Sequence, residues 1–210
     1  MGARPLSSLR TEIARYVGKV DDDEALDLAS SGIKSACGKL NRFVWKWALQ
    51  FQDITFTADT SEYPLDSFVK EPRRLMALDS SGHEVFRLGF KDFASFLEEH
   101  QNTQTQGDPC VYSIANIHKF GTLSLDVRPS TAWASKYPTG RLWYYRRIEP
   151  PNAPAEPADV PSEVEDFILW HAKALIASTY DKSKVDTAMM MATIAFKDLR
   201  FDNMVSSDWE

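Results

Sequence analysis

One apolar seam constrains this chain more than any other feature. Leu26, Ala29, Ile33, Ala36, Leu40, Phe43 and Trp47 recur at alternating spacings of three and four. Only an α-helix brings such positions onto one face, and a seam of this length suits packing against one or two further helices. The pattern predicts a helix running through to Trp47. Val44 and Trp45 widen its apolar surface at the end, either for a broad core contact or for a partner chain. Asp21-Asp22-Asp23-Glu24 stand just ahead of it. A row of aspartates can hold a metal, but before a helix it reads as caps for the first N–H groups.

A shorter amphipathic helix precedes this one. Leu6, Leu9, Ile13 and Tyr16-Val17 share a face, and Gly18 is placed to end it. From Phe51 the period changes to two. Ile54 and Phe56, then Tyr63 and Leu65, alternate around Ala58-Asp59-Thr60-Ser61 and predict a hairpin. Arg74–Leu78 and Glu84–Leu88 flank Ser80-Ser81-Gly82 and predict a second. A short helix near 90–100 carries Phe93, Phe96 and Leu97, and a polar loop follows over Gln101–Gly107. Three more strands are expected around Val111–Ala115, Thr122–Val127 and Arg141–Arg147.

Five prolines lie within residues 149–161. Proline fixes φ and removes a donor, so this segment reads as a stiff connector. Ser162-Glu163-Val164-Glu165 then has the form of a capping box opening a third long helix. A fourth follows, with Val185, Met189, Ala192, Phe196 and Leu199 on its face. The expected fold class is therefore α+β, a helical bundle built from both chain ends with an inserted antiparallel β-rich lobe. The expected divisions are 1–50 with 162–200 for the bundle, 51–148 for the lobe, 149–161 for the connector and 201–210 for a C-terminal tail.

At 210 residues, 43% hydrophobic and 26% charged, the chain can bury a core without metal or disulfide staples. A formal charge of −6 argues against a general nucleic-acid coat, which needs clustered cations. Arg73-Arg74 and Arg146-Arg147 sit at strand spacing and read as solvent faces. Cys37 and Cys110 lack the paired spacing of a zinc site and read as free thiols of a reducing compartment. Met1–Pro5 has no apolar stretch of a signal peptide, and no apolar run is long enough to span a membrane.

No catalytic constellation is legible. His83, His100, His118 and His171 are isolated in sequence, and Glu98-Glu99 and Glu163/Glu165 fit helix surfaces or caps. Gly32–Lys39 misses the phosphate-loop pattern in spacing and in its final residue. The expectation is a protein that is not an enzyme, with no catalytic residue, no metal and no cofactor.

Several phrases in order carry a resemblance. They are Phe43-Val44-Trp45-Lys46-Trp47, Phe56–Leu65, Asp108–Tyr112, Leu123–Pro129, Leu142–Arg147 and Val160–Ala172. Together they resemble the head-to-tail connector, or adaptor, proteins of tailed double-stranded DNA bacteriophages, over roughly Leu6 to Leu199. The resemblance implies a homo-oligomeric ring, typically of twelve copies, at the head–tail junction of a virion and made in the host cytoplasm. Its implied partners are a portal protein and a tail or neck protein. Double-stranded DNA would pass without sequence-specific binding, and no membrane is involved. On this reading Ile33, Leu40, Phe43 and Trp47 are candidates for ring packing. Phe201, Met204, Val205 and Trp209 are candidates for docking the tail to the portal, against a plain frayed end. A second reading is a non-catalytic binding module gripping a carbohydrate or peptide with Trp133, Trp143, Tyr144 and Tyr145. A third is a cell-wall hydrolase, for which the missing constellation is the weak point.

Overall fold

The computed structural model describes residues 4–65, 69–100, 105–116, 121–153 and 160–203, with the side chains of Asp202 and Asn203 left aside. Helices α1 (Leu6–Tyr16) and α2 (Asp23–Leu40) lead into strands β1 (Leu49–Thr55), β2 (Glu62–Pro64), β3 (Val69–Leu78) and β4 (Glu84–Phe90). Next come α3 (Phe93–Glu99), β5 (Gln106–Gly107), β6 (Val111–Ala115), β7 (Thr122–Leu125) and β8 (Arg128–Pro129). The chain closes with α4 (Thr131–Lys136), β9 (Thr139–Arg146), α5 (Ser162–Tyr180) and α6 (Val185–Asn203). Two compact units result: Met1–Trp47 with Ile148–Glu210, and Ala48–Arg147.

In the first unit, α1 buries Leu6, Leu9, Ile13 and Ala14. It ends at Gly18, whose φ of 74° suits a residue without Cβ. The amides of Gly18 and Lys19 bond the carbonyls of Arg15 and Ala14 at 3.0 Å, which satisfies the last turn. Asp22 caps α2 by accepting from the Ala25 amide at 3.1 Å, the role expected of the acidic run. The predicted seam holds as far as Leu40, where the helix stops. It does not reach Trp47. The Trp45 indole N–H donates to the Leu40 carbonyl at 2.8 Å, giving a helix-end acceptor its partner. The Asn41 side chain exchanges two 2.8 Å bonds with the backbone of Ile148, tying the helix end to the returning chain.

Helix α5 lies so close to α2 that a Cβ built on Gly32 would stand 2.8 Å from the Cβ of Ala172. The expected capping box does not form. Pro161 holds the cap position, Ser162 is already inside the helix, and no side chain caps it. Glu165 is buried and turned to Arg4 instead. On α6 the face also differs from expectation. Ala188, Ala192 and Leu199 are buried while Met189 is 57% exposed. Alanines four apart make the contact with α5, and this turns Met189 outward.

The second unit corrects the expected fold class. It is no minor antiparallel lobe on a bundle: seven of the nine described strands form one large curled mixed sheet. The strand order is β1-β9-β3-β4-β6-β7-β2. The sheet is mixed, because α3 lies in a crossover that returns the chain in the same direction. Gly89 and Phe90 of β4 thus pair in parallel with Val111 and Tyr112 of β6. The β3–β4 hairpin forms as expected, turning at Gly82 with φ 81°. The predicted first hairpin does not. Strand β1 pairs with β9 and β2 with β7. The Tyr63 hydroxyl accepts from the Thr57 amide at 3.2 Å and donates to the Thr60 carbonyl at 2.6 Å, folding the turn locally. Helix α4 was not foreseen, although Ser130 caps it by accepting from the Trp133 amide at 3.2 Å. It delivers Trp133 into a core with Phe56, Leu75, Tyr112, Leu123 and Leu142.

Candidate functional site

The four ring-packing candidates are divided by the structure. Ile33 and Leu40 are 1% and 0% exposed, spent on the core of their own unit. Phe43 and Trp47 lie beyond the end of α2 and are only partly buried. Phe43 packs on Phe196 with ring centroids 5.3 Å apart, and Trp45 stacks on Trp47 at 6.4 Å. Phe167 meets Phe196 at 5.1 Å. This aromatic cluster joins the α2 end to α5 and α6.

Beside that cluster runs a groove of about 490 Å³, within the size range of pockets that hold ligands. Its walls come from the end of α2 and the residues just after it, from α5, and from α6 as far as Phe196. Phe43, Phe167, Leu175, Met189 and Phe196 make it apolar, and Lys39 and Arg42 place two cations at it without any carboxylate. His171 also lines it. Burial, and secondly the charge of Lys39, lower its pKa to about 4, so at neutral pH it adds no charge. Leu175, Met190, Ile194 and Phe201 are exposed on the same two helices, Phe201 at 93%. Sequence periodicity missed this surface because it placed Met189 in the core. The run Met189-Met190-Met191 was its one visible signal, since no helix packs a residue and both neighbours on one face.

Sequence reading also missed a charged cluster joining α1 to α5. Arg4 reaches Glu165 and, at 2.5 Å, Glu12, while the Lys173 ammonium bonds the other oxygen of Glu12 at 2.7 Å. Lys173 lies 4.5 Å over the Trp170 ring. Burial opposes ionisation of Glu12, but the bonds from Lys173 and Arg4 outweigh it and hold its carboxyl below the usual range. Burial likewise opposes the charge of Arg4, and its two carboxylate partners raise its pKa above the ordinary value.

The aromatic residues of the binding-module reading do not gather into a cleft. Trp133, Tyr144 and Tyr145 are buried. Trp143 is partly exposed and engaged: its N–H donates to Glu84 at 2.9 Å, Arg74 lies 5.3 Å over its ring, and Phe51 packs at 5.1 Å. As for chemistry, Ser35 Oγ lies 3.3 Å from His171 Nε2, yet among the described residues no carboxylate orients that ring as a catalytic base requires. His83 pairs with Asp79 and His100 packs at a tilt against Phe96, while His118 lies outside the described residues. Cys37 is buried, its thiol pushed up to about 12, and Cys110 is exposed. Among the described residues no group of three or more His, Cys, Asp or Glu is placed to hold a metal. No described helix is long and apolar enough to cross a membrane.

Of the portal-docking candidates, Phe201 is described at the exposed end of α6; Met204, Val205 and Trp209 lie outside the described residues. So do parts of the expected polar loop (101–104) and connector (154–159). Comparison with the curated proteins returns no match. The family model of the SU10 adaptor protein matches residues 4–208, which spans both units. The resemblance carried by the aromatic and proline-rich phrases is thereby borne out. The chain belongs to the SU10 adaptor protein family, and so to the head–tail adaptors of bacteriophages.

Proposed function

We propose that the chain assembles into a homo-oligomeric ring, of twelve copies, seated between the portal and a tail or neck protein at the head–tail junction of the virion. The observation that carries this reading is the match to an adaptor family across residues 4–208. The surface of the first unit supports it. Leu175 and Met189 line one apolar groove, and Met190, Ile194 and Phe201 are further exposed apolar residues of α6, surface of the kind that assembly contacts cover. Heterologous contacts between identical copies close into rings when the rotation allows.

In this reading the protein is made in the host cytoplasm, and its role is mechanical: no catalysis, no cofactor. The balance of −6 suits a passage through which double-stranded DNA slides without sequence-specific binding, because clustered cations would hold phosphates. On the portal the docking peptide is the tail, with Phe201, Met204, Val205 and Trp209 as its apolar contacts. Co-sedimentation of the purified protein with its phage's portal protein tests this. Stoichiometric binding, lost on removal of residues 201–210, is expected. Portal binding unaffected by that truncation would refute the docking assignment, and no binding at all would refute the portal-seated ring.

A further inference from the structure

The groove between the α2 end, α5 and α6 and the segment beyond α6 are chemically complementary. The groove is apolar at Phe43, Leu175, Met189 and Phe196 and carries Lys39 and Arg42 with no acid. The segment after Phe201 carries Met204, Val205 and Trp209 together with Asp202, Asp208 and Glu210, and no Lys or Arg. In a chain whose acids outnumber its bases, 30 to 24, a purely cationic rim and a purely anionic aromatic segment are both departures from the average. An aromatic anchor in an apolar pocket, ringed by opposite charges, is the arrangement of an interface centre.

Geometry decides whose segment fits. At a helical rise of about 1.5 Å per residue, Met189 lies about 21 Å back along α6 from Asn203. Six fully extended residues would carry Trp209 at most about 20 Å beyond Asn203. A chain that must first reverse direction spends part of that reach in the turn, so its own Trp209 would reach no further than about Phe196. The Met189 half of the groove is left for another copy.

We infer that in the free ring, before a portal is met, residues 204–210 of one copy seat in the α2–α5–α6 groove of the next. The inference rests on the ring reading. It gives that ring a copy-to-copy contact which portal docking of the tail would then replace.

The test uses two singly substituted chains, Met189→Cys in one and Ser207→Cys in the other, which keeps Trp209 and the acids of the segment, both with Cys110→Ser to remove the exposed thiol. They are co-expressed, oxidised without portal, and analysed on non-reducing gels beside light scattering of the same sample. A disulfide-linked pair that is absent when either chain is expressed alone, in a sample that scatters as a ring, is expected. Lys39→Glu with Arg42→Glu should lower its yield several-fold while the ring mass stays unchanged; an unchanged yield refutes the charge match. A ring without the interchain disulfide overturns the inference and leaves the ring reading standing. So does a chain carrying both cysteines that closes its disulfide internally. Scattering from monomers alone also overturns the inference, and the ring reading is then decided by the sample with portal added.

Discussion

Gly32 offers the sharpest test of how the helical unit is packed. A Cβ added there would stand 2.8 Å from the Cβ of Ala172 and 2.9 Å from its Cα. Carbon atoms pack best at about 3.5–4.0 Å, so α2 and α5 would have to part by several tenths of an ångström. One of the two clashing atoms is backbone, which cannot rotate away. Overpacking of this kind costs about 1–3 kcal/mol, against a gain of about 1 kcal/mol from replacing glycine inside a helix. Gly32→Ala should therefore lose up to about 2 kcal/mol net, against the gain expected where the helix is open. Gly38, in the same helix, has nothing within 4 Å of its would-be Cβ. Gly38→Ala should gain about 0.5–1 kcal/mol from propensity alone. Urea unfolding followed by helical circular dichroism reads both, at unchanged slope. The same substitution in the same helix should move the midpoint in opposite directions. If Gly32→Ala raises it as Gly38→Ala does, the close α2–α5 approach is refuted.

Arg4→Ala strands the buried Glu165 and should cost about 2–3 kcal/mol, less than a fully buried pair because Arg4 is partly open to water; a loss under 0.5 kcal/mol in urea unfolding would contradict that role. Glu12 has a depressed folded pKa, so its contribution is complete above the unfolded value of about 4.3 and is lost as pH falls through the folded one. Stability should decline below about pH 4.3, and Glu12→Gln should flatten that decline; an identical acid limb in the variant would exclude it. Asn41→Ala removes both bonds to Ile148 and should cost about 1–3 kcal/mol, with Asn41→Asp, which keeps only the acceptor, in between. Equal losses for the two variants would show that the donated bond alone matters.

Local chemistry was legible in the sequence, and long-range pairing was not. The cap at Asp22, the stop at Gly18 and the turn at Gly82 depend on residues within one or two turns, and each is found where the pattern placed it. Alternation around Ile54 and Tyr63 marked strands but could not name their partners, which lie in β9 and β7. The parallel β4–β6 pair is invisible for the same reason: only the crossover through α3 makes it parallel. Glu165 had the spacing of a capping box and was claimed by Arg4, far away in sequence. Phe43 and Trp47 kept the helical spacing after the helix had ended, because Phe43 packs on Phe196 and Trp47 stacks on Trp45, contacts that need apolar residues whatever the backbone does. The groove escaped for a subtler cause. Periodicity finds apolar stripes, but Ala188 and Ala192 outcompeted Met189 for the contact with α5, and nothing in spacing ranks small residues above large ones.

The adaptor reading stands or falls on assembly. Electron-microscope class averages of the purified protein mixed with portal protein measure it directly. The account predicts closed rings of twelve copies seated on the portal. Particles that stay monomeric, with portals left bare, would contradict it.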